Sequence, residues 1–86
     1  MDSHEIILYP IMTEVTSRIL EAENKLVFVV NNRATKKDIR RAVEELYDVV
    51  VEKVNVTTTS SGEKKAFVKL HPYFRAADVA IKLGIL

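Results

Sequence analysis

The 86-residue sequence has no cysteine, only two glycines, two prolines and two histidines, and no long apolar run. Without cysteine there can be no disulfide, thiolate zinc site or cysteine nucleophile, and nothing points to an oxidising compartment. Gly62 and Gly84 stand alone, so no glycine-rich loop cradles a nucleotide phosphate. His4 and His71 lack partners at metal-ligand spacing. Apolar runs such as Leu26–Val30 and Val49–Val51 fall far short of the ~20 residues of a membrane span. No signal peptide precedes them, so a cytoplasmic chain without membrane insertion is expected. Ser60 and Ser61 lie in a turn with no base beside them. Catalysis, cofactors and metals find no support.

The chain does have material for one small core: 48% of its residues are apolar. A domain of this size buries only a little over ~60% of its unfolded surface, which leaves no room for a deep interlobe pocket. Charge is also present, although its sum conceals it. The net value is only +1. Residues 1–31 carry a net −3, residues 32–41 carry +4, residues 42–56 carry −3 and residues 63–75 carry +3. Such blocks suit a folded surface with one basic and one acidic side.

Periodicity gives the elements. Glu5–Leu8 is a short strand candidate closed by Tyr9-Pro10. Met12, Val15, Ile19 and Ala22 recur at helical spacing, predicting a helix over 12–23 capped by Thr13. Lys25–Val30, apolar after its first residue, reads as a strand covered on both faces. Thr35 and Asp38 form a capping-box pair for a second helix whose buried stripe is Ile39, Ala42, Val43 and Leu46. Val49–Thr59 reads as a long strand with a bulge near Glu52-Lys53. Ser60–Glu63 makes a hairpin turn, and Lys64–His71 returns. Ala76–Leu83 is a last short helix with Gly84 at its C′ position. The order β-α-β-α-β-β-α predicts a single α+β domain over 1–86, with a mainly antiparallel four-stranded sheet and helices packed on it.

The second helix carries its charges against its own dipole. Arg33, Lys36 and Lys37 crowd its positive N-terminal end, and Glu44, Glu45 and Asp48 its negative C-terminal end. Each such charge costs about 0.3–1 kcal/mol when exposed, and i,i+4 pairs Arg40–Glu44 and Arg41–Glu45 offset only a few tenths of that. An anion at the basic end and a basic partner at the acidic end account for the arrangement; an accidental order on a solvated helix is the plainer alternative. Lys65, Phe67 and Lys69 share a strand face with Lys64 beside the turn. Cations interleaved with an aromatic suit RNA, although Phe67 is expected to pack beneath a helix while the lysines reach outward. Arg33/Lys36/Lys37, Arg40/Arg41 and Lys64/Lys65/Lys69 together offer about six to eight phosphate contacts, enough for strongly salt-dependent binding.

Five segments occur in an order that carries a resemblance: Tyr9–Glu14, Asn24–Phe28, Arg33–Ile39, Val43–Val49 and Lys64–Leu70. In this register the chain, from about Ile6 to Leu86, resembles the universal large-subunit ribosomal protein family numbered twenty-three, in its archaeal form. The resemblance implies direct binding of large-subunit rRNA near the exit of the nascent-peptide tunnel, beside neighbouring ribosomal proteins. It also implies docking of the signal recognition particle, a nascent-chain chaperone and the protein-conducting channel. The family's Pro-x-x-Thr/Ser-Glu motif falls on Pro10, Thr13 and Glu14, and its rRNA-contacting positions on Arg33, Lys36, Lys37, Lys64, Lys65 and Lys69. Positions used for factor docking fall on Glu14, Tyr47 and Asp48, with Glu44 beside them. Val15 stands where the family motif usually continues with lysine, and the hairpin around Gly62 is short. The isolated chain is expected to be a monomer. The alternative is an RNA-free α+β protein-interaction module.

Overall fold

The computed structural model describes residues 1–86. Eight elements follow one another: α1 (Ser3–Ile6), β1 (Ile7–Pro10), α2 (Glu14–Glu23), β2 (Lys25–Val30), α3 (Lys36–Tyr47), β3 (Val51–Thr58), β4 (Lys64–Leu70) and α4 (Ala76–Lys82). The expected α+β architecture is therefore present, with one helical turn added at the front. Asp2 creates that turn: its side chain accepts from the His4 amide at 3.1 Å and caps α1. The turn buries Ile6 and delays the first strand from Glu5 to Ile7. Pro10 ends β1 at the sheet's margin, where its missing N–H disrupts no central ladder.

The sheet order is β1-β2-β4-β3, and every neighbouring pair is antiparallel. Strands β2 and β3 consequently run in the same direction with β4 between them, joined by α3 as a split βαβ unit. The expected bulge in β3 is found where the register slips between Val51 and Lys53. It restores the phase, so that Val51 and Val54 both point into the core.

All helices lie over one face of this sheet. Leu26, Phe28 and Val30 of β2, Ala66, Val68 and Leu70 of β4, and Val51 and Val54 of β3 join Ile6, Leu20, Ile39, Ala42, Val43, Ala76, Val79 and Ala80 from the helices in one cluster. Phe28, fully buried, stacks on Tyr47 with centroids 5.8 Å apart and planes 7° from parallel. The stripe on α3 is the expected one: Ile39, Ala42 and Val43 are inaccessible to solvent. The phase of α2 is not. Val15 is 63% exposed and Ala22 faces water, while Leu20 is the buried residue. A capping box starts this helix: the Thr13 amide donates to Thr16 Oγ1 at 2.7 Å, and the Thr16 amide donates back to the Thr13 hydroxyl.

Asn24 is the joint of the second helical layer. It takes the left-handed conformation that ends α2, at φ 55°. Its side-chain amide donates to the carbonyls of Leu70 and Phe74, and its oxygen accepts from the Ala76 amide at 2.7 Å. One side chain thus ties α2, the end of β4 and the start of α4. That last helix closes on Gly84, at φ 75°, with the Gly84 amide bonded to the Ile81 carbonyl and the Ile85 amide to that of Ala80.

Candidate nucleic-acid interface

The second face of the sheet carries no helix, and the strand register decides what stands on it. Lys25, Lys69 and Lys53 sit opposite one another on β2, β4 and β3. The next row is Val27, Phe67 and Asn55, and the third is Val29, Lys65 and Thr57. Four lysines therefore surround one phenylalanine. Phe67 is not beneath a helix, contrary to the sequence-based expectation: it alternates with Ala66 and Val68, which occupy the covered face. Strand β2 is buried on both faces, as expected, although no helix lies on this side: Val27 and Val29 are only 4% exposed. Like charges directly opposite across strands weaken a sheet. Only Lys25 is relieved, by Glu23 at 3.0 Å; Lys53, Lys65 and Lys69 form no ion pair.

A basic cleft of about 530 Å³ adjoins the β3 edge of this face, lined by Lys36, Lys37 and Arg40 of α3 and by Glu52, Lys53 and Asn55 of β3. Thr35 and Asp38 close the capping box expected from the sequence: the Thr35 amide donates to Asp38 at 2.9 Å, and the Asp38 amide to the Thr35 hydroxyl at 3.2 Å. The Thr35 amide, then its hydroxyl, hold the Asp38 carboxyl below the ordinary carboxylate value. Arg40 donates to the Glu52 carbonyl at 3.1 Å, and Arg41 lies 3.6 Å from Asp38. Neither arginine makes the expected i,i+4 pair. Lys36 and Lys37 are exposed without an acidic partner, as is Arg33 before the cap.

Lys64 is differently placed from its neighbours. Its ammonium donates to the Ala34 carbonyl at 2.6 Å and reaches that of Asn32 at 3.4 Å, tying the hairpin to the loop before α3. Between that loop, the hairpin and β1 lies an open cleft of about 510 Å³ that includes Tyr9, Arg33, Glu63 and Lys64. Tyr9 donates to Glu63 at 2.8 Å, and this bond above all keeps the phenol protonated beyond its usual range. Pro10 is half-buried at the end of β1, and the Thr13 hydroxyl is engaged in its cap.

The acidic end of α3 is largely committed inside the protein. Glu44 accepts from the Val51 amide at 2.8 Å and so steadies the start of β3. Glu45 accepts from Ser3 at 3.1 Å and holds α1. Asp48 ends the helix in the left-handed conformation, with its side chain exposed. Tyr47 is half-buried on Phe28, and burial raises its pKa. Tyr47 and Asp48 share a narrow cleft of about 160 Å³ with Tyr73, Phe74, Asp78 and Lys82. Tyr73 is 82% exposed and meets Phe74 edge-on at 5.2 Å. Glu14 is elsewhere, paired with Arg18 at 2.8 Å, and no cleft or bond joins it to Tyr47 or Asp48.

Sequence reasoning missed Lys25, Lys53 and Asn55, whose neighbours are set by register, and Tyr73, whose exposure follows from where β4 stops. The interleaving of Lys65, Phe67 and Lys69 was the available signal for the free face.

The ribosomal protein L23 family model matches residues 5–82. The chain is similar to the large ribosomal subunit protein uL23 of Methanococcus aeolicus, 46% identical over 85 residues and 99% of each chain. It is also similar to the protein of the same name from Methanococcus vannielii, 44% identical over the same share of both chains. Matched across nearly its whole length by family and relatives alike, the chain belongs to the ribosomal protein L23 family, and is a structural, cytoplasmic constituent of the ribosome rather than an enzyme.

Proposed function

We propose that this protein takes its place in the large ribosomal subunit by binding the subunit's rRNA directly, near the exit of the nascent-peptide tunnel. The binding surface is the lysine-bearing sheet face together with the basic end of α3. The observation that carries this reading is the lysine row Lys25–Lys69–Lys53, held at a cost in strand pairing beside a second basic cleft. Phosphates relieve that repulsion and release counterions. Arg33, Lys36, Lys37, Arg40, Arg41, Lys65 and Lys69 supply phosphate contacts, and Lys64 contributes mainly by fixing the loop that carries Arg33. Pro10 and Thr13 contribute as shape at the β1–α2 corner.

The opposite side presents Tyr47, Asp48 and the exposed Tyr73 to protein partners: the signal recognition particle, a nascent-chain chaperone and the protein-conducting channel. Glu14 offers a separate acidic point, and Glu44 serves this side indirectly by holding β3. An aromatic residue beside carboxylates suits a basic, partly apolar partner.

The test is a salt titration of binding to large-subunit rRNA, with small-subunit rRNA as competitor. Tight, selective binding that weakens steeply with salt is expected, and Lys36→Glu with Lys37→Glu abolishes it while the fold persists. Equal affinity for both RNAs at every salt concentration would favour the RNA-free interaction module. Glu14→Ala with Asp48→Ala should leave RNA affinity unchanged and weaken factor docking; loss of RNA affinity instead would reverse the assignment of the two sides.

A further inference from the structure

The free sheet face has a composition that simple phosphate neutralisation does not require. At its centre is Phe67, an aromatic ring on the one side of the molecule that no helix covers. The other close aromatic pairs, Phe28 with Tyr47 and Tyr73 with Phe74, leave Phe67 without an aromatic partner. Along β4 it is flanked by Lys65 and Lys69, each two residues away and so about 7 Å along the strand. Across the strands it stands between Val27 and Asn55. Asn55 makes no side-chain hydrogen bond within the protein, so its amide has both a donor and an acceptor to offer. No carboxylate stands in these three rows; Glu23 and Glu63 lie at their margins, held by Lys25 and Tyr9.

A ring carried on a sheet surface cannot reach a base inside a duplex, because A-form RNA keeps its bases stacked and paired and presents phosphates and 2′-hydroxyls outward. It can receive a base that is already unpaired. We infer that the helix-free face binds a single-stranded or bulged nucleotide of the RNA, with its base stacked on Phe67, its edge toward Asn55 and the adjoining phosphates on Lys65 and Lys69. The inference rests on the rRNA-binding reading above and adds to it the class of RNA element recognised. The backbone therefore passes the ring along β4, and the row Lys25–Lys69–Lys53 widens the cationic surface across the strands at the Lys69 end.

The experiment uses the full chain at low ionic strength with two probes: a short single-stranded RNA of mixed sequence, and the perfect duplex of that sequence. Phe67→Leu keeps an apolar side chain and should lower single-strand affinity about tenfold, as loss of one base–aromatic stack does. Duplex affinity should not change. Phe67→Tyr keeps the ring and should keep wild-type affinity. In the unmodified protein, the ring-proton resonances of Phe67 should move upfield on adding the single strand and stay in place on adding the duplex, a readout that no variant's folding affects. Unchanged single-strand affinity in Phe67→Leu, an equal loss for both probes, or stationary ring resonances would overturn the stacking inference. If both probes still bind with a steep salt dependence, the rRNA-binding reading survives that failure. If neither probe, nor large-subunit rRNA, binds in a salt-dependent way, both readings fall.

Discussion

The two faces of the sheet are built from the same strands and have opposite energetics. In β4, Ala66, Val68 and Leu70 are inaccessible to water, while Lys65, Phe67 and Lys69 between them face away from the core. On the covered face every neighbour adds apolar burial. On the free face the nearest neighbours of Lys69 are two more lysines. A single strand thus carries stability on its even-numbered residues and a stored electrostatic cost on its odd ones. The cost survives because the alternation of a strand lets one side specify the fold without consulting the other.

The largest effect separating the two faces should come from Phe28→Ala. It removes the most central ring of the core and its stack on Tyr47, and should cost about 3–5 kcal/mol in chemical denaturation. That is much of the stability of so small a domain. A loss under 1 kcal/mol would mean that the covered face is not the one holding the fold.

Asn24→Ala should follow, at about 2–3 kcal/mol, because it leaves two carbonyls and one amide without their partner. Amide exchange should localise the opening to α4 and the end of β4. Uniform loss of protection would show that the α2–α4 layer is not a separable unit.

The free face should respond in the opposite direction. Lys53→Ala, Lys65→Ala and Lys69→Ala together should lower the slope of log affinity against log salt by about two to three, one phosphate contact per lysine. The same variant should gain about 0.5 kcal/mol in stability from relief of like-charge pairing. Reduced stability with unchanged RNA affinity would erase the distinction between the faces.

The smallest effect belongs to the basic end of α3. The Asp38 pKa lies below its unbound value of 3.8 because the folded chain hydrogen-bonds the carboxylate. Its contribution is therefore complete above that unfolded value and is lost as pH falls toward the folded one. Melting temperatures of the wild type and Asp38→Asn should differ at neutral pH and converge as pH drops below about 3.8. A gap that persists in acid would assign the effect to something other than the capping carboxylate.

Local chemistry was readable wherever it was self-contained. The bounds of β2, the caps at Thr13 and Thr35, the role of Asp38, the bulge before Lys53 and the Gly84 stop all follow from a few adjacent residues. The helix α1 was hidden because a four-residue turn has no periodicity and depends on Asp2 and on α3 lying beside it. The phase of α2 was hidden because Val15, Ile19 and Ala22 form a regular stripe of their own beside Leu20, and spacing alone does not say which stripe meets the sheet. The acidic end of α3 looked like a free docking surface because the sequence does not reveal that Glu44 and Glu45 bond to Val51 and Ser3.

By itself the sequence determined every helix and strand except α1, that they make an α+β fold, and that its charge falls in opposing blocks. Those properties rest on spacing and composition within a few residues of chain. Only the tertiary structure decided that Lys25, Lys53 and Lys69 form one row, that Phe67 faces outward, and that Lys64 is occupied at home. Each depends on strand order and register, which bring together residues as far apart as Lys25 and Lys69 and set which side of a pleat meets the helices.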